Sequence, residues 1–405
     1  MSAFPGSEQI KIDLTAVKAI CAGGEIDGGV IKPRLAAVPL SAPPPEGVNR
    51  IEYCAGPKLY FAYSGQKLYI STNLATYVLS LECDCSYAFS SEGYWDGAKT
   101  GMVFVNGRYL RFDGQTLLTV ASDEKLRCGV QHAGRLFAVE EEDGYKLVWS
   151  GTESVNDWRF NFDEGGYLKL DTEYGESLDM LEYGEKMLVM REYGITVLSM
   201  FGSPENFSVE YTDTKADGIV KNTTRTVNGK VVFCTRSGVK IFDGGKISKA
   251  DFPFADDIKD AVFAMEYAGA YYLCCKSKRL NKNVVLRLDT EKQSAYYIDV
   301  AATCLFCSDK LYALGGGTVY KIEEGESFTA YFDGINFGSS SNKTVVKLCA
   351  DGADAEISNG KHSRFFANLN GSKKLMLRGK KFDIKVTGAK KLKTLCVTAE
   401  VSVGI

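Results

Sequence analysis

The chain has 405 residues, 45% of them hydrophobic and 24% charged, which is ordinary globular usage and excludes a wholly disordered protein. Its 2 histidines, His132 and His362, leave little room for His-rich metal sites or for several His-based catalysts. A net charge of −3 predicts neither nucleic-acid binding nor membrane attraction for the whole chain, and no run of 18 apolar residues marks a transmembrane helix.

The N-terminus, MSAFPGSEQIKID, lacks a basic start followed by an apolar core and does not read as a secretory signal. Residues 1–46 carry 6 of the 9 prolines and read as an extended arm that packs across the rest of the molecule or reaches a neighbour.

An internal repeat follows. Short apolar runs begin at Leu59, Met102, Leu136, Met187, Val231, Tyr271 and Leu311, each followed by a turn and a second alternating run. The turns contain Ser64-Gly65, Asn106-Gly107, Asp143-Gly144, Tyr193-Gly194, Ser237-Gly238 and Gly315 to Gly317. Glycine suits them because two-residue hairpin turns require positive φ. About four strands per roughly 40 residues is the signature of a propeller blade. The expected fold is therefore all-β, a β-propeller over 47–334. Seven blades are favoured, and six or eight also suit spacings that range from 34 to 51 residues.

A compositional boundary lies near residue 335. From Asn336 onward there are 13 Lys/Arg and 5 Asp/Glu, so this segment is +8 and the rest of the chain is −11. Residues 335–405 alternate as TVVKLCAD, RFFANL, KKLMLRGKKFDIKVTG and KTLCVTAEVSV, predicting a small basic β-sandwich with lysines on its exposed face. Lys373, Lys374, Arg378, Lys380, Lys381, Lys385, Lys390, Lys391 and Lys393 form its basic patch. A solvated sheet face accounts for them, and docking onto an acidic partner surface is the functional alternative. No interleaved aromatics support base stacking on nucleic acid.

Chemistry-bearing motifs are sparse. Cys304-x-x-Cys307 has redox or zinc spacing, yet no second pair matches it, and alternation puts the two thiols on opposite strand faces. Cys83-x-Cys85 lacks a third ligand in sequence. The 12 cysteines, with Cys274 and Cys275 adjacent in an apolar run, read as reduced small hydrophobes of a protein made in cytosol. The acidic run Glu140 to Asp143 reads as a solvated turn without the regular spacing of a calcium loop. No phosphate-binding loop and no G-x-S-x-G elbow is present. Ser150, Asp157 and Trp158 resemble the Asp-box turn of sialidase-like propellers, where they staple a hairpin. A sialidase would also need clustered arginines, an acid and a nucleophilic tyrosine, and the arginines here sit in no recognisable motif. No cofactor, metal or catalytic residue is expected.

Several phrases together resemble a family of structural propellers from tailed bacteriophages. They are Gly134 to Leu136, Trp149-Ser150, Asp157-Trp158, Gly165-Gly166 with Leu168, Met187 to Arg191, Gly194 to Val197, Gly229 to Ser248, and Arg378 to Gly388. Lys32-Pro33-Arg34 approximates the family's N-terminal phrase. The resemblance is to packaged-DNA stabilisation, head-completion and tail hub or nozzle proteins. It implies a non-enzymatic virion component, made in the host cytoplasm, assembling as a ring around the DNA exit path. Its partners would be itself, as a hexamer, and other neck or tail proteins, near DNA and without membrane insertion. The alternative from another class is a glycan-binding or glycan-cleaving propeller. An axial pocket lined by carboxylates and aromatics would favour that alternative, whereas a featureless axis would favour assembly.

Overall fold

The computed structural model describes residues 7–17, 19–95, 97–112, 117–121, 124–155, 157–158, 165–210 and 214–402. Strands dominate the described residues, with three single-turn 3₁₀ helices at Leu14–Ala16, Pro204–Asn206 and Ala255–Asp257. The expected β-propeller is present. Every apolar run of the repeat becomes the second strand of a four-stranded antiparallel meander, as in Lys186–Arg191 and Lys230–Thr235.

Why these runs are apolar at every position follows from the packing. In Lys230–Thr235, Val231 and Phe233 join the core shared with the preceding blade, while Val232 and Cys234 join the core shared with the next. Phe137 and Val139 are likewise separated from Leu136 and Ala138. A strand buried on both faces needs apolar residues in both phases of its period of two. The turns behave as their residues require: Asn106 and Gly107 both take positive φ, 44° and 67°, between Ala98–Val105 and Arg108–Phe112.

Six of the four-stranded sheets stand alone, giving a six-blade arrangement. Five occupy 50–82, 89–121, 126–169, 177–210 and 225–249. The sixth joins Cys304–Cys307, Leu311–Gly315 and Thr318–Glu324 to Leu35–Pro39 from the start of the chain. Between the fifth and sixth lies another meander, Ile258–Tyr267, Ala270–Ser277, Lys282–Asp289 and Ser294–Ile298. It is not a sheet of its own: Ile20–Ala22 bridges Ser294–Ile298 to Phe328–Ile335 and so to the C-terminal strands. Seven independent blades are thus not confirmed.

A separate C-terminal sandwich is not confirmed either. Lys343–Ser358 pairs on one side with Ser363–Gly379, and on the other with Leu395–Ser402 in its first half and Phe382–Gly388 in its second. Register shifts between Asp351 and Ala355 let it change partner while its buried residues stay inside: Val345, Leu348, Ala350, Ala353, Ala355 and Ile357. These residues belong to the same core as Ala313 and Val319 of the closing blade. The two units therefore share one hydrophobic core and one continuous sheet.

The N-terminal segment 1–46, expected as an extended arm, is divided between both units. Ser7–Asp13 pairs with Leu395–Ser402, Ile20–Ala22 bridges the sheets, Gly24–Asp27 and Val30–Pro33 form a hairpin, and Leu35–Pro39 closes the last blade. Phe328–Ile335 pairs with Phe382–Gly388, so it lies with the C-terminal strands although the sequence boundary was set after it.

Candidate functional site at the propeller axis

First strands of adjacent meanders pack against one another, as 50–54 does against 304–307 and 126–132 against 177–183. These strands line the axis. All of them run the same way along it, so their starting residues meet at one mouth.

Three arginines and a lysine stand there. Arg50 opens the first blade, Arg127 is second in the third, and Arg225 opens the fifth, with Lys221 just before it. The Arg50 guanidinium lies 4.2 Å over the Tyr63 ring, and its Nε is 3.6 Å from Glu52 Oε1. Its Nη2 donates to the Ala88 carbonyl. Glu52 is held in turn by the Tyr63 hydroxyl at 3.0 Å and the Ser90 amide at 3.1 Å. Arg127 is committed to Glu176 at 2.7 Å and to the Glu141 carbonyl at 2.8 Å. The Tyr87 ring joins the two sides of the mouth, with Lys221 Nζ at 4.9 Å and the Arg127 guanidinium at 5.4 Å from its centre. Arg225 lies 5.3 Å over Phe263.

The electrostatics reflect enclosure by these strands. Burial raises the Asp179 carboxyl above the ordinary range, although Arg225 and Lys221 pull the other way. Burial also lowers Lys221, helped by repulsion from Arg50 and Arg127 and opposed by Cys128 and Asp179. Asp179 is half-buried by its own surface, and its Oδ1 accepts from the Met180 amide at 2.9 Å. A recess of about 270 Å³ opens beside Arg50, bounded by Asn49, Tyr63, Asn222, Phe263 and Thr303. The axis is therefore not featureless: at its mouth four cations meet the carboxylates of Glu52, Asp179 and Glu176 and the rings of Tyr63, Tyr87 and Phe263.

None of these four cations stood out in sequence, because no motif unites them. What they share is position, each near the start of an innermost strand, and only blade register reveals that.

Elsewhere the sequence candidates separate. Ser150 is fully buried; its hydroxyl accepts from the Leu136 amide at 3.0 Å and donates to the Gly151 carbonyl at 3.0 Å. Gly151 donates to the Asp157 carbonyl at 2.6 Å, and Trp158 packs against the core of Phe104 and Leu136. This turn follows Lys146–Trp149, the third strand of its blade. Glu140 pairs with Lys146 at 2.7 Å and Glu142 with Lys125 at 3.7 Å around an exposed turn.

Cys304 Sγ lies 3.6 Å from the Ile51 carbonyl, whereas Cys307 Sγ lies 3.9 Å from Met265 Sδ, so the pair does diverge. Burial pushes the Cys304 thiol up to about 12, which disfavours the thiolate that redox or zinc chemistry needs. Among the described residues no three His, Cys, Asp or Glu side chains converge as a metal site would require. His132 Nδ1 is 2.8 Å from Glu182 Oε1, and His362 sits in the turn between the two long strands.

Lys373, Lys374, Arg378, Lys380, Lys381, Lys385, Lys390, Lys391 and Lys393 are all exposed. Lys373, Lys374 and Arg378 share Ser363–Gly379, a 17-residue strand that pairs on one edge only among the described residues. Phe365 and Met376 on the same strand are 63% and 69% exposed. Beneath them Lys343 is buried, donating to the Lys380 carbonyl at 2.7 Å, and burial lowers its pKa.

No family model and no curated protein matches the chain. Among solved structures it is similar to the extracellular domain of a B. thetaiotaomicron protein described as a one-component system. The TM-score is 0.51 at 10% identity, over 87% of this chain and 58% of the other. A second structure of such a domain, described there as a hybrid two-component system, gives 0.52 at 10% identity, over 85% and 55%. The chain thus spans a little over half of these neighbours. At such identity the likeness carries the propeller fold alone. No helix is long and apolar enough to cross a membrane among the described residues.

Proposed function

We propose that this protein is a non-catalytic structural subunit that associates with further copies of itself, in the manner of the ring-forming neck and tail propellers of tailed phages. The observation that carries the reading is the strand Ser363–Gly379. It offers 17 residues with one unpaired edge, two exposed large apolar side chains and four cations, Arg364, Lys373, Lys374 and Arg378. Long free edges recruit strands from other chains unless they are shielded. The rest of the chain carries −11 against the +8 of the C-terminal segment, so a neighbouring copy supplies the complementary surface. Contact between two unlike surfaces is heterologous and generates a ring when the rotation closes. In this reading the meander 258–298 serves as a seventh blade, supported by its inner strand packing between those of the fifth and closing blades.

Native mass measurement of the full chain tests the proposal. A closed oligomer at low salt, shifting toward monomer as salt rises, is the expected result. A monomer at all concentrations that binds oligosaccharides would overturn it in favour of the glycan-binding alternative. Cleavage is the weaker part of that alternative: Tyr63 bonds to Glu52 as an activated tyrosine would, but it is only 1% exposed.

A further inference from the structure

The four cations at the axial mouth come from separate stretches of chain and are held close together against their mutual repulsion. Two of them are neutralised locally, Arg50 by Glu52 and Arg127 by Glu176. Lys221 and Arg225 are not. Neither has a carboxylate within ion-pair distance among the described residues, and Asp179, which influences both, lies beyond it. Each instead rests against an aromatic face, Lys221 on Tyr87 and Arg225 on Phe263. An aromatic face steadies a cation without consuming its N–H donors. The Lys221 ammonium therefore keeps all three donors available, and Arg225 spends one Nη on the Thr224 carbonyl.

We infer that the axial mouth is a binding site for a small oxyanion, a carboxylate or phosphate group on a compact ligand, with Lys221 and Arg225 as its direct partners. Three features set the class. The recess of about 270 Å³ is lined by Arg50, by Asn222 next to Lys221, and by Phe263 on which Arg225 rests, so it lies beside the two free cations; its volume, just below the usual range for drug-sized ligands, admits a group rather than a long chain. The unpaired groups of Lys221 and Arg225 are donors, which carboxylate and phosphate oxygens satisfy and a hydroxyl satisfies less strongly. Arg225 is half-buried, so a charge-assisted bond to it is less screened than one on the open surface, while the exposed Lys221 meets the ligand from solvent. Arg50 and Arg127 then supply background potential while their own hydrogen bonds fix the frame. The inference is independent of self-association, because the mouth and the strand Ser363–Gly379 lie on different units.

Calorimetric titration of the full chain at low ionic strength, in a buffer free of phosphate and carboxylate, tests it. The probes are glucose 6-phosphate, glucuronate and glucose. Saturable binding of one or both anionic sugars, with none of glucose, is expected, and the anion that binds identifies the headgroup. The double variant Lys221→Met with Arg225→Met should bind at least about tenfold more weakly, whereas Lys249→Met, which alters an exposed lysine of the fifth blade, should not change affinity. Equal binding of glucose, absence of saturable anion binding, or unchanged affinity in the double variant would overturn the assignment. Amine acetylation followed by mass spectrometry reads the site in the unaltered protein. The anionic sugar should slow modification of Lys221 and leave Lys249 unaffected. Equal protection of both lysines, or of neither, counts against the site.

Discussion

At the residue scale, buried charge divides into groups that are fully satisfied and groups that are not. Arg191 has no exposed surface, yet its Nε donates to the Gly175 carbonyl at 2.9 Å and its Nη atoms to the carbonyl and carboxylate of Asp171. Tyr174 and Tyr145 lie against its guanidinium faces, so it acts as a rivet for the turn before its blade. Asp179 is the opposite case. Burial raises its carboxyl pKa, so the folded chain holds that proton more tightly than the unfolded chain does. Its contribution to stability is therefore largest at low pH and declines as pH rises from the ordinary carboxylate value through the elevated one. Asp179→Asn should flatten that part of the profile, giving a variant no less stable than the parent at pH 7. Urea midpoints at several pH values measure this, and a parallel profile in the variant would refute it.

Among the elements, the five-residue strand Leu35–Pro39 completes the last blade. It pairs with Thr318–Glu324 over five residues, and Leu40 donates to the Val319 carbonyl at 2.8 Å. Without it the last blade would lack its fourth strand and expose an edge. Backbone N–H groups alternate sides along a strand, so of Ala36 and Ala37 one donates toward Thr318–Glu324. Replacing both by proline should cost about 1–3 kcal/mol through the lost bond and the stranded carbonyl. It should also raise hydrogen exchange in Thr318–Glu324 above that in the second blade. Unchanged protection there would mean that closure is held elsewhere. The close approach at Gly315, where a Cβ would sit 1.9 Å from the Ala301 carbonyl, shows how tightly the same blade is fitted.

For the whole molecule, charge is the property that exceeds any single element. The −3 total conceals a split between the +8 of the C-terminal segment and the −11 of the rest, and every Lys/Arg of that segment except Lys343 is exposed. Exposed charges steer association and set register, and salt screens them within about 8–10 Å. Reversing Lys373, Lys374 and Arg378 to glutamate should shift an oligomer toward monomer while leaving the melting temperature within a few degrees, because all three are exposed. Light scattering with parallel melting curves tests this; an unaltered oligomer would place the interface off this strand.

The sequence by itself determined the local units. Alternation, apolar second strands and turns such as Asn106-Gly107 are encoded within a dozen residues, and the meanders formed where those patterns lay. Tertiary structure alone decided three things: that residues 35–39 finish a blade begun at Cys304, that Ile20–Ala22 fuses a meander to the C-terminal strands, and that Arg50, Arg127, Lys221 and Arg225 share one mouth. Each depends on pairing between residues far apart in the chain, where the local pattern carries no register. Strand edges and axial positions are fixed only when the ring closes, and that closure turned scattered cations into a site.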